Sequence, residues 1–182
     1  MSYGIIRRDM VKAATADSIE SLFIKAANMY VPVEIMSEPE HIPEYLPQYE
    51  HTADAGMDVR ADIPELLLLP PHKTVVVPTG LYVGLPKPEV LGQLWELQVR
   101  PRSGLASKDI GVINSPGTID AGYRGEIKVL LINHGDTDFW IVPNAKIAQL
   151  VLAQVFVVQW KPVDILGETS RNQGGFGSTG IV

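Results

Sequence analysis

Short apolar runs cut by Pro or Gly constrain this chain more than any other feature. The runs 73–77, 80–85, 94–99, 126–132, 138–142 and 147–158 are dominated by Val, Ile, Leu, Phe and Trp. They are β-rich and broken by Pro or Gly, at the spacing expected of a sandwich or barrel. Val31, Val33 and Ile35 alternate in the same manner before Pro39, Pro43 and Pro47, which mark an extended loop because proline cannot donate to a strand ladder. No strand–helix alternation and no internal repeat interrupts the pattern. With 16 Gly and 14 Pro in 182 residues and 46% hydrophobic residues, the chain reads as a turn-rich, all-β domain with a substantial core.

Residues 1–30 have a different texture. Asp17 and Glu20 resemble a capping box, and Ile19, Leu22, Phe23 and Ala26 follow a helical stripe. The spacing predicts a short amphipathic helix over 17–29, either packed on the domain surface or serving as a partner-binding or targeting arm. At the other end, Arg171 to Val182 is Gly-rich without an apolar period and reads as a mobile terminal segment. The division expected is an extension over 1–30, a β domain over 31–166 and a closing segment over 167–182.

Charge and composition exclude several functions. The net charge of −6 argues against a nucleic-acid coat. It leaves room for a small anion held by a few local arginines. Zero cysteine removes disulfides, thiolate metal sites and cysteine nucleophiles. The four histidines, at 41, 51, 72 and 134, do not pair at zinc-ligand spacing. No run approaches the roughly 18 apolar residues of a membrane span, and no signal segment opens the chain. The expected setting is cytoplasmic, with a nuclear or virus-encoded origin left open.

Five segments carry chemistry. Arg100-Pro101-Arg102-Ser103-Gly104 ends a strand in a basic turn, where backbone N–H groups, the Arg102 fork and the Ser103 hydroxyl suit phosphate oxygens. Alternatively it is a surface turn with a salt-bridged arginine. Asn114 to Glu126 reads as a strand–turn–strand hairpin. Within it, Asn114 offers a donor and an acceptor to a base edge, Asp120 could serve as general base toward water, and Tyr123 could lie against a sugar. The bland alternative is a structural hairpin. Arg171 to Gly180 combines four glycines with Arg171, Phe176, Ser178 and Thr179, suiting a phosphate chain and a flat ring. Asp58 stands alone among small residues as a turn former or ion-pair partner. Gln149 is one amide in an apolar strand, so burial demands a partner, which a backbone group could provide.

In this order, the segments resemble the five motifs of the homotrimeric dUTPase family: Ala55-Gly56-Met57-Asp58-Val59, Pro101-Arg102-Ser103-Gly104-Leu105-Ala106, Gly117 to Gly125, Ile147-Ala148-Gln149-Leu150, and Arg171 to Gly180. Leu46-Pro47-Gln48-Tyr49 also fits the entry to the first. The resemblance covers about Val31 to Gly180. It implies a jelly-roll-like fold, a homotrimer with active sites shared between subunits, and Mg²⁺-dependent hydrolysis of dUTP to dUMP and pyrophosphate. That reaction keeps uracil out of DNA and supplies dUMP for dTMP synthesis. No nucleic acid or membrane partner is implied.

By position, Asp120 matches the residue that activates water, Tyr123 the ring beneath the deoxyribose and Asn114 the uracil-contacting amide. Gly117, Thr118 and Ile119 match the substrate-binding backbone beside them. Arg102, Ser103, Gly104 and Gln149 match phosphate contacts. Asp58 matches a carboxylate that supports the metal's water and the arginines without ligating the metal directly. Arg171, Phe176, Gly177, Ser178 and Thr179 match the closing lid.

Position 122 is Gly where many relatives carry a second acid, and 172 is Asn where Gly is common. A dCTP deaminase of the same superfamily would need an acid at the place of Leu130, which cannot shuttle protons. A non-catalytic nucleotide-binding or signalling protein on the same scaffold is the reading from another class.

Overall fold

The computed structural model describes residues 34–36, 46–86 and 93–174. The expected helix over 17–29 and lid residues Phe176, Gly177, Ser178 and Thr179 lie outside them. Among the described residues, ten strands and one short helix follow in chain order: β1 Glu34–Met36, β2 Met57–Arg60, β3 Leu67–Leu69, β4 Thr74–Gly84, β5 Leu94–Arg100, α1 Ser103–Ala106, β6 Ile110–Val112, β7 Gly117–Ile119, β8 Glu126–Asn133, β9 Phe139–Ile141 and β10 Lys146–Val155. The all-β architecture matches the sequence reading.

Two four-stranded antiparallel sheets make the body, in orders β1-β4-β8-β6 and β2-β10-β5-β7, with β3 and β9 as a separate pair. Period-2 alternation decides which side chains turn inward. In β8, Ile127, Val129, Leu131 and Asn133 are buried and the intervening residues are not. In the second sheet, Leu97, Val99 and Leu150 are buried with Ile147 and Ala148 in the same core. Asn133 is polar yet buried. Its amide donates to the carbonyls of Leu69 and Thr137 at 3.0 and 2.7 Å and its oxygen accepts from Gly135 N–H at 2.9 Å, so it costs the core nothing unsatisfied.

Three local features differ from the sequence reading. Runs 73–77 and 80–85 belong to one strand, β4, whose pairing with β8 shifts between Pro78 and Tyr82. Proline lacks the amide hydrogen that would continue the ladder. The carboxylate of Glu126 replaces the missing order by accepting from Thr79 and Gly80 N–H at 3.1 and 2.9 Å. The run 147–158 ends as a strand at Val155, and residues 156–166 continue exposed.

The third difference concerns residues 114–126, which do not form a hairpin. β7 pairs with β5 in one sheet, while β8 pairs with β4 and β6 in the other. Six of the eight residues of β8 stand opposite β4, whereas β7 offers only three residues. The turn between β7 and β8 therefore passes from sheet to sheet.

Candidate active site

The site grows from the edge of the second sheet. Asp58 on β2 stands opposite Gln149 on β10, and Gln149 stands opposite Arg100 on β5. Three consecutive strands thus bring the first, second and fourth segments together. Beyond Arg100 the chain turns into α1, where Arg102 O accepts from the N–H groups of Leu105 and Ala106 at 3.0 and 2.9 Å. The basic turn expected there is a single helical turn, whose leading amides have no acceptor within the helix.

Arg102 donates to Asp58 through Nε at 2.7 Å and Nη2 at 3.3 Å, and to the carbonyl of Lys146 through Nη1 at 3.2 Å. Lys146 Nζ lies 2.9 Å from Asp58 Oδ2 and 3.0 Å from Glu50 Oε2. Partial burial pushes the Asp58 carboxyl up. The hydrogen bond from Lys146 and the charges of Arg102 and Lys146 outweigh that effect and hold it below its ordinary value. Hydrogen bonds to Asp58 and then Glu50 raise Lys146 above its own. Asp58 and Lys146 are therefore both charged at neutral pH. Asp58 is the ion-pair partner the sequence reading allowed for.

Gln149 donates to the carbonyl of Pro101 at 2.9 Å, the backbone partner its position required. A side chain at residue 56 would strike Gln149 Oε1, so Gly56 leaves room for the amide beside the start of β2. The result is an open cleft of about 570 Å³, lined by Asp58, Arg102, Ser103, Gly104, Lys146 and Gln149 among others. Glu50 reaches it because Asp58 N–H donates to Gln48 O at 3.2 Å, tying the entry segment beside β2.

Asn114, Gly117, Thr118, Ile119, Asp120 and Tyr123 do not line this cleft. They lie on the other flank of β5, where Val99, Gln98 and Leu97 stand opposite Gly117, Thr118 and Ile119. Gly117 is buried with the Asn114 amide packed against it. Asp120 is exposed, and its carbonyl accepts from Tyr123 N–H at 3.0 Å. Tyr123 folds over Gly125, where any side chain would strike its hydroxyl. That hydroxyl donates to Glu126 O at 3.0 Å, which anchors the tip of the ring.

Arg171 also lies apart, its Nε donating to Gly174 O at 2.8 Å within an exposed turn. Asn172 takes φ +42°, a left-handed conformation that asparagine tolerates next after glycine. Lys146 and Glu50 are the residues that reading the sequence missed. The signal was present for Lys146, which directly precedes the Ile147-Ala148-Gln149-Leu150 string.

The fold is thus an antiparallel β sandwich carrying an arginine–carboxylate cleft suited to oxyanions, with a second polar cluster across β5. A family model described as dUTPase matches residues 43–180, and the chain belongs to that family. The deoxyuridine 5'-triphosphate nucleotidohydrolase of Orientia tsutsugamushi (strain Boryong) is 47% identical over 137 residues, covering 75% of this chain and 88% of the relative. The enzyme of the same name from Maricaulis maris is 46% identical over 153 residues, covering 82% and 97%. A Staphylococcus bacteriophage 80alpha dUTPase variant solved with dUpNHpp superposes with a TM-score of 0.69 at 22% identity, covering 82% of this chain and 99% of that one.

Proposed function

We propose that this protein hydrolyses dUTP to dUMP and pyrophosphate by attack of water at the α-phosphorus, in sites assembled between copies of the chain. Keeping uracil out of DNA and supplying dUMP for dTMP synthesis follow from that reaction. The observation that carries the proposal is the division of the site across β5. Phosphate-suited donors lie on one flank, and the groups suited to base, sugar and water lie on the other. A second copy placing its Asn114–Tyr123 cluster over this copy's cleft would complete a nucleotide site.

The segment after β10 supports assembly. Phe156, Val157, Val158, Trp160, Val163, Ile165 and Leu166 are all exposed, Trp160 to 90%. A lone chain gains nothing by presenting so many large apolar side chains within one short segment. A neighbouring copy is the surface we propose for it, giving the trimer that the family resemblance implies. Residues 167–182 would then close over the site, with Arg171 on phosphate and Phe176 on the base. Residues 1–30 would stand outside the β domain of 31–166.

In the proposed mechanism Asp120 holds a water in line and accepts its proton, supplying both basicity and orientation. Arg102, Ser103, Gly104 and Gln149 hold the phosphate chain. Tyr123 packs beneath the deoxyribose, leaving no space for a 2′-hydroxyl. The Gly117-Thr118-Ile119 backbone excludes the thymine methyl, and Asn114 pairs with uracil but leaves cytosine's groups unmatched.

The residues fit a magnesium ion borne by the substrate. Three of the four or so lone-pair sites of Asp58 already serve Arg102 and Lys146, leaving it able to accept from a metal-bound water rather than to ligate. Mg²⁺ would offset charge on the phosphates.

Pyrophosphate release from dUTP, dTTP, dCTP and UTP, with Mg²⁺ and beside Asp120→Asn, tests the reading. Turnover of dUTP alone, nearly lost in the variant, is expected. Equal hydrolysis of all four nucleotides, or full activity without Asp120, would reject it.

A further inference from the structure

Asp58 and Lys146 together commit three of the five guanidinium N–H bonds of Arg102. Two remain, one on each terminal nitrogen, at a cleft also lined by Ser103, Gly104 and Gln149. A pair of donors recognises an oxyanion best when the plane of the fork is fixed beforehand. Lys146 touches that plane at two places: its ammonium lies 2.9 Å from Asp58 Oδ2, and its carbonyl accepts from Arg102 Nη1 at 3.2 Å. Glu50 braces the ammonium from the exposed side at 3.0 Å.

We infer that Lys146 is a positioning residue for the reaction: it fixes the Asp58–Arg102 pair so that the two uncommitted N–H bonds of Arg102 meet the phosphate chain of the substrate. This rests on reading the cleft as a triphosphate site. A β-bulge brings Lys146 into place. Pairing between β10 and β2 shifts between Lys146 and Ala148, and Ile147 and Ala148 are both buried in succession. Strict alternation would turn Lys146 to the face opposite Gln149, and the extra residue returns it to the face of Asp58.

Arginine would keep both the charge and the reach of Lys146, whereas methionine keeps only the length. Without the ammonium, Asp58 is held by Arg102 alone and the pair can swing as a unit. The loss should appear in binding of the phosphates, because the water and its base lie elsewhere.

The test uses the full chain, with steady-state hydrolysis of dUTP, calorimetric titration with inorganic triphosphate, and thermal unfolding. Lys146→Met should raise KM and the triphosphate Kd about tenfold while kcat stays within about twofold, the loss expected for one charge-assisted contact. Lys146→Arg should recover most of that loss. In an Arg102→Gln background, Lys146→Met should add less than about twofold, since coupled residues do not add.

A tenfold loss that persists without Arg102 would mean that Lys146 touches phosphate itself, and would overturn the inference. So would unchanged KM and Kd in Lys146→Met. Should that variant fail to fold, Glu50→Gln decides: a KM raised about threefold, the milder loss expected of an exposed ion pair, supports the inference, and an unchanged KM sinks it. A wild-type chain that binds triphosphate without hydrolysing dUTP would reject the nucleotide reading alone, and the triphosphate titrations would still judge Lys146.

Discussion

Asp58 and Arg102, 44 residues apart in sequence, meet through two hydrogen bonds at 2.7 and 3.3 Å across the end of the second sheet. The arginine comes from the turn after β5 and the carboxylate from β2, with β10 between them in the sheet. The pair therefore reports on the whole edge of the sheet.

Asp58→Asn should remove a charge-assisted pair while keeping the shape. A loss of about 1–3 kcal/mol of stability is expected, with weaker binding of dUTP. Denaturant titration beside the kinetic assay measures both. Native stability in the variant would mean the pair is held by the fold and contributes little to it.

The same carboxyl gives a pH dependence. Its folded value is depressed, so its contribution is complete above the unfolded value and is lost as pH falls through the folded one. The gap in thermal stability between wild type and Asp58→Asn should be full at neutral pH and shrink below about pH 4. A gap that stays constant through that range would contradict the assigned ion pairing.

Asp120 is exposed and lies away from the cleft. Asp120→Asn should lower kcat about 100-fold or more while leaving the fold intact. Circular dichroism and thermal unfolding supply the control. A comparable loss of stability would assign Asp120 to the turn rather than to the reaction.

Gly56 faces the amide of Gln149 with no space for a methyl group. Gly56→Ala should push Gln149 off the Pro101 carbonyl and cost about 1–3 kcal/mol, as overpacking does. Raised KM without lost stability would show that Gln149 relaxes freely.

Two truncations separate assembly from closure. Ending the chain after Glu168 should preserve the proposed trimer and sharply reduce turnover. Ending it after Val155 removes the exposed apolar segment and should yield monomers by light scattering. Monomers from both truncations, or trimers from both, would reject the division of roles.

The sequence carried the fold class because alternation and turn residues are local signals. Ile127, Val129 and Leu131 point inward as their spacing implies. It misled at residues 114–126, because alternation says which face a residue takes and not which strand it joins. The partner of β8 is β4, dozens of residues earlier, which no local pattern at 114–126 announces. The membership of the cleft was legible at Asp58, Arg102, Ser103, Gly104 and Gln149, where short motifs carry distinctive chemistry. Lys146 carried a signal only in its place directly before the Ile147-Ala148-Gln149-Leu150 string, because the bulge beside it reverses the facing that simple counting assigns. Glu50 was not legible, because its place depends on Gln48 bridging to Asp58.

The exposed segment from Phe156 to Leu166 has a consequence for making the protein. If copies assemble as proposed, a newly folded one would display that strip to every other chain around it until a correct neighbour covered it. Docking and clumping then compete for the same surface, and both accelerate as chains become more abundant. Refolding yield should therefore pass through a maximum with protein concentration: too dilute and copies fail to meet, too crowded and they meet wrongly.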